Sequence, residues 1–125
     1  MKACHRLRRG EDFRLISRTG VRSARTHVVI HLSPLPGGES PLVGFVVSKK
    51  IGTAVRRNLV RRRLRHIMTH HLPQLPSSSG LVVRTRPGIA DLSFNELQDE
   101  VEDCLASVIS KYVRRFVPSS PDDQP

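Results

Sequence analysis

The chain has 125 residues, with 21 Lys and Arg against 11 Asp and Glu, for a formal charge of +10 at pH 7. That length suits one domain with a core rather than several domains or a disordered chain, since 38% of the residues are hydrophobic and 26% charged. The charge is uneven, with 18 basic and 3 acidic side chains in residues 1–86 but 3 basic and 8 acidic in residues 87–125, so a polyanion partner is expected, nucleic acid first and an anionic membrane second.

Met1-Lys2-Ala3-Cys4-His5-Arg6 opens the chain without the apolar stretch of a secretory signal, and no later run is apolar enough to span a bilayer. The only cysteines are Cys4 and Cys104, so no disulfide framework is expected and a reducing cytoplasm fits. Residues 1–9, with Arg6, Arg8 and Arg9, read as a mobile basic arm. A short helix is expected over Glu11–Thr19, with Glu11 and Asp12 in its first turn and Gly20 taking the left-handed position that ends it.

Val21–Arg25 reads as a short strand. His27–Leu32 and Leu42–Val47 are strands rich in β-branched residues, and the loop Ser33–Pro41 between them predicts a hairpin. Leu81–Thr85 is another strand, after the loop Pro73–Gly80. Ser93-Phe94-Asn95-Glu96 is a capping box and opens the last helix. There Phe94, Leu97, Val101, Leu105, Val108, Ile109, Tyr112, Val113 and Phe116 recur at three- and four-residue steps, a stripe to bury against the sheet. Residues 118–125 read as a disordered tail, which leaves 1–117 as the domain.

The segment from Ser48 to His66 is the most informative. Between Lys49 and Arg65 there are eight basic residues and no acid. Thr53 is a suitable N-cap, and Pro73 ends the helix before it. Val60, Leu64, Ile67 and Met68 share an arc of about 100° on a helical wheel, the core side; Asn58, Arg61, Arg62 and Arg65 share a second arc of about 100° beside it. Arg56 and Arg57 lie in the first turn, where the helix end is already positive, and cations there cost a few tenths of a kcal/mol each. Arginines four residues apart repel by about 0.2–0.5 kcal/mol per pair. A bound phosphate backbone would offset both, and Asn58 can donate and accept where arginine only donates. The alternative is a solvated helix face.

Other chemistries are weaker. Glu96, Asp99, Glu100 and Asp103 share a helical face as a metal-dependent nuclease would arrange carboxylates, yet their place in the helix's N-terminal half is also what the dipole favours. His66, His70 and His71 suggest zinc, but a structural site needs four ligands and neither cysteine is near in sequence. There is no Walker loop and no nucleophile elbow, and Cys4 beside basic residues reads as an idle thiol before a reactive one. Phe13, Phe45, Phe94, Tyr112 and Phe116 are the only aromatics, too few for an RNA-recognition motif.

Lys49, Lys50, Gly52, Ala54, Val55, Arg57, Asn58, Arg61, Arg62 and Arg65 follow, without a gap, the signature Lys-Lys-x-Gly-x-Ala-Val-x-Arg-Asn-x-x-Lys/Arg-Arg-x-x-Arg. In these residues the chain resembles the bacterial ribonuclease P protein family. Leu7-Arg8-Arg9-Gly10-Glu11-Asp12-Phe13 resembles that family's basic N-terminus and Asp-Phe pair, Gly20 its helix-ending glycine, and Arg84-Thr85-Arg86-Pro87 its Arg-x-x-Pro. The resemblance covers about residues 5–116.

It implies an α+β fold, a single-domain αβββαβα sandwich whose βαβ crossover is left-handed, like the second domain of ribosomal protein S5. It implies a protein subunit of a ribozyme that removes the 5′ leader of precursor tRNA in the cytoplasm, with hydrolysis by the RNA subunit using Mg²⁺ held mainly by RNA and substrate. A general RNA- or ribosome-binding protein and a stand-alone nuclease are the alternatives. The implied partners are the RNase P RNA and precursor tRNA, with no membrane and no obligate protein partner; no protein side chain is expected to be catalytic or to bind metal. The implied RNA-binding residues are Lys49, Lys50, Arg56, Arg57, Asn58, Arg61, Arg62 and Arg65, with Arg8 and Arg9 of the arm. The implied leader cleft has Phe13 and Ile30. Ser17 and Ile30 stand where the family often has aromatics, so apolar and phosphate contacts rather than base stacking are expected there.

Overall fold

Helix α1 (Gly10–Thr19) begins one residue before the expected boundary and carries Glu11 and Asp12 in its first turn and Arg18 in its last, the order the helix dipole favours. This computed structural model describes residues 5–117, so the expectations for Cys4 and for the tail from Pro118 lie outside the described residues. Gly20 does not end α1 in the left-handed region: its φ of −81° and ψ of 172° are extended. Glycine is needed there for space, because a Cβ would come within 2.6 Å of the Leu32 carbonyl oxygen and 2.7 Å of that of Ile16.

The strands are β1 (Val21–Ala24), β2 (Val28–Pro34), β3 (Leu42–Val46) and β4 (Ser79–Thr85), in the sheet order β1-β2-β4-β3. β2 and β3 therefore do not form the expected hairpin. β4 inserts between them, antiparallel to β2 (Ile30 opposite Val83) and parallel to β3 (Phe45 opposite Val83). Burial explains the order. β2 and β4 are buried on both faces along most of their length, which suits the centre of a sheet, whereas β3 keeps several residues half-buried and takes an edge. The hairpin is β1–β2, with Val21 opposite Leu32.

Helix α2 (Ala54–His71) connects the parallel neighbours β3 and β4, and helix α3 (Phe94–Phe116) closes the chain, giving the αβββαβα order. One face of the sheet, with Val28, Ile30, Leu32, Val43, Leu81 and Val83, shares a core with Val60, Leu64, Ile67 and Met68 of α2 and Leu97, Val101, Leu105 and Val108 of α3. The other face packs Val82 against Ile16 of α1, with Leu7 and Leu35. Helix α1 lies close to the strands because two sheet positions lack side chains. A Cβ on Gly44 would meet the Phe13 ring, and one on Gly80 the Ile16 side chain, each at 2.4 Å.

The capping box of α3 is complete: Ser93 Oγ accepts from Glu96 N at 3.1 Å, and Ser93 N donates to Glu96 Oε1 at 2.9 Å. Most of the expected stripe is buried or half-buried, but Val113 is exposed, and Cys104, absent from the stripe, is buried and donates to the Ser23 carbonyl. Part of the expected arm docks on the sheet. Leu7 is buried, its N–H donates to the Val43 carbonyl at 2.9 Å, and Arg6 bridges to Val43, so residues 6–7 extend the outer edge of β3.

Candidate nucleic-acid interface

Between β3 and α2 the chain makes a single 3-10 turn at Lys49–Ile51 and passes through Gly52, at φ 148° and ψ −158°. That region of backbone space is essentially open to glycine alone. Gly52 thereby sets Lys49 and Lys50 outward and delivers Thr53, whose hydroxyl accepts from Arg56 N at 3.3 Å as the N-cap. The buried residues of α2 are Val60, Leu64, Ile67 and Met68, the arc expected from the wheel.

The arginines of α2 flank this buried arc and divide into two groups. Arg56 pairs with the Asp91 carboxylate, and Arg63 Nη1 donates to the Leu92 carbonyl at 2.9 Å, so both bind the helix to the segment preceding α3. Lys49, Lys50, Arg57, Arg61, Arg62 and Arg65 have no carboxylate partner among the described residues. Asn58, Arg61, Arg62 and Arg65 line one broad recess of about 750 Å³ together with Val55 and Leu59. Arg61 Nη1 donates to Asn58 Oδ1 at 3.3 Å, and Arg57 Nε is buried without a hydrogen-bond partner among the described residues.

Around the edge of β3 this surface meets α1. Arg6, Phe13, Gly44, Phe45, Arg61 and Arg65 line a narrower recess of about 140 Å³. Phe13 thus lines a recess with cations on its α2 side. Arg6 was missed by the sequence reading, although Leu7, an apolar residue within a basic run, signals a docked segment. Arg8 and Arg9 are exposed. Arg9 lies 3.9 Å from Glu11 and borders a separate recess with Asp12 and the loop 35–40, away from α2.

Ile30 does not line a cleft. Its side chain is 0% exposed and belongs to the core beneath α3. The neighbouring His31 faces the other way, in one cross-strand row with Val82 and with Gly44, on which Phe13 rests. His31 is 7% exposed, and its Nδ1 is buried without a partner among the described residues. Burial first, then Arg84 and Arg22, hold its pKa below the ordinary histidine value. Arg84 Nη2 donates to Ser17 Oγ at 3.2 Å, so the position that lacks the family's aromatic holds a guanidinium instead.

The acids of α3 do not converge on a reaction centre. Glu96 caps the helix. Glu100 accepts from His27 N and contacts the His27 ring, both at 2.8 Å; Asp103 accepts from Arg25 Nε at 2.6 Å; Glu102 lies 2.8 Å from His71 Nε2. The His66 ring packs edge-on against His70 and Phe94. Among the described residues no three His, Cys, Asp or Glu side chains come together as a metal site.

The family model described as Ribonuclease P matches residues 1–108. The chain belongs to the ribonuclease P protein family. A ribonuclease P protein component from a Nocardioides species is 45% identical over 111 residues, covering 86% of this chain and 94% of that one. One from Streptomyces griseus is 42% identical over 113 residues, covering 84% and 92%. The Staphylococcus aureus RNase P protein structure superposes with a TM-score of 0.77 at 27% identity, covering 86% of this chain and 99% of that one. The chain is thus the protein subunit of ribonuclease P, an endoribonuclease of tRNA 5′ maturation, and its partner is the RNase P RNA. The ribonuclease P signature lies on α2 and the turn before it, where its cations without acid partners gather. No helix among the described residues is long and apolar enough to cross a membrane.

Proposed function

We propose that α2 and the turn before it hold the RNase P RNA, that the groove beside Phe13 receives the 5′ leader of precursor tRNA, and that hydrolysis comes from the RNA subunit rather than from protein side chains. The observation that carries this reading is the divided set of arginines. Arg56 and Arg63 are engaged within the fold, while Arg61, Arg62 and Arg65 share a surface with Asn58, and they and Arg57 have no carboxylate partner among the described residues. Such a surface is stabilised by phosphates. Phosphate oxygens pair with its guanidiniums, and Asn58 offers an amide to a base edge or a 2′-hydroxyl.

In the leader groove Phe13 supplies an apolar ring, and Arg6, Arg61 and Arg65 supply phosphate contacts. His31 and Arg84 extend the polar side of the same sheet face, in place of Ile30. The donor set of this surface does not suit Mg²⁺. It presents cations and an amide without carboxylates, and Asp91, the one acid paired with a cation of α2's first turn among the described residues, is bound to Arg56. Divalent ions would therefore be held by the phosphates of RNA and substrate. Such a particle would act on tRNA precursors in the cytoplasm. The nuclease alternative is not favoured, because, of its four candidate acids, Glu96, Glu100 and Asp103 are each committed to a separate structural bond, which leaves Asp99 alone without one among the described residues.

The test is precursor-tRNA cleavage by the purified protein with and without the RNase P RNA. Cleavage at the mature 5′ end is expected only when the RNA is present. Phe13→Ala should weaken binding of a substrate with a leader of several nucleotides and spare one with a single-nucleotide leader. Cleavage by the protein alone would overturn the reading.

A further inference from the structure

Val55 lies in the first turn of α2, yet its side chain is 78% exposed. A β-branched residue there neither packs the core nor favours the helix, so it gains the free protein nothing. Leu59 follows one turn later on the same side and is half-buried. Together they form an apolar strip among Asn58, Arg61, Arg62 and Arg65, in the recess of about 750 Å³.

The amide of Asn58 has a defined sense. Arg61 can only donate, so the atom facing it at 3.3 Å must be the amide oxygen. That leaves Asn58 Nδ2, with no partner among the described residues, to donate to something else. The recess thus offers an apolar floor, an amide donor and guanidiniums with no acid partners. A continuous A-form duplex presents phosphates and 2′-hydroxyls and has little use for that floor. An unstacked nucleotide matches all three, with its base face against aliphatic carbons, a base acceptor on the amide and its phosphates on the arginines.

We infer that the Val55–Leu59 strip and Asn58 form a seat for an unstacked nucleotide of the partner RNA, so that this face selects a bulge, loop or junction over a regular duplex. The inference rests on the reading of α2 as the surface that holds the RNase P RNA. It adds that the surface discriminates by RNA structure rather than by charge alone.

Val55→Thr tests the seat. The change is nearly isosteric and removes apolar character at an exposed site, so the fold should be retained; thermal unfolding confirms that directly. Affinity for the RNase P RNA should fall about threefold to tenfold with an unchanged salt slope, while affinity for a perfect RNA duplex stays the same. Wild-type preference for the RNase P RNA that survives Val55→Thr intact would overturn the seat alone. An equal loss for the duplex would also overturn it. A wild-type protein with no preference for the RNase P RNA over the duplex would overturn the seat together with the reading it rests on.

Discussion

Arg56 and Arg65 are on one helix, but only Arg56 has a carboxylate beside it, that of Asp91. Binding measured across a salt series should separate the two. Arg62→Ala and Arg65→Ala should each lower affinity for the RNase P RNA and reduce the salt slope by about one ion. Arg56→Ala should change the slope less, because its charge is already partly neutralised, and Asn58→Ala should weaken binding with the slope unchanged. Slopes unchanged from the wild type for Arg62→Ala and Arg65→Ala would mean that neither arginine touches phosphate. His31 makes a different prediction. Its depressed pKa means that the folded state favours the neutral ring, while the unfolded chain takes up a proton near pH 6.5. That contribution to stability is complete above about pH 6.5 and is lost as the pH falls toward the lower folded value. Urea midpoints at about pH 7.5 and about pH 5.5 should therefore differ less for His31→Phe than for the wild type. Identical differences would remove His31 from the acid response.

Gly20 shows how an element can be read correctly for the wrong reason. The helix does end there, but the residue is extended, and two backbone carbonyls occupy the space a side chain would need. Gly20→Ala should therefore destabilise the protein by about 1–3 kcal/mol, the range for forced overpacking, measured as a shift in denaturant midpoint. A left-handed substitute such as asparagine should not rescue it. Two helices were legible because their signals are local: the capping box of Ser93 and Glu96, and the arc of Val60, Leu64, Ile67 and Met68. The neighbours of β2 were not legible. A strand buried on both faces carries no period that says which strand lies beside it, so chain proximity suggested β3 where β4 belongs.

Over the whole molecule, the charge asymmetry of the sequence becomes a division of labour. Acids of α3 hold Arg25, His27 and His71, whereas most of the α2 cations have no acid partner among the described residues. The α2 part of the site was legible because one continuous segment carries it. The groove was not, since it needs Arg6, Phe13, Gly44, Arg61 and Arg65 to converge from four separate parts of the chain. Ile30 was expected on the α1 side of the sheet, but in a strand one residue exchanges the two faces, so Ile30 lies beneath α3 while the adjacent His31 faces the α1 side. The placement of β4 also governs how the protein comes into being. During synthesis β1 and β2 can pair as soon as they emerge, but β3 has no strand partner in the sheet until Ser79–Thr85 is made. Over that interval the nascent chain carries unpaired strand edges together with the whole of α2, so the segment with the densest positive charge leaves the ribosome before the sheet that fixes its orientation is complete.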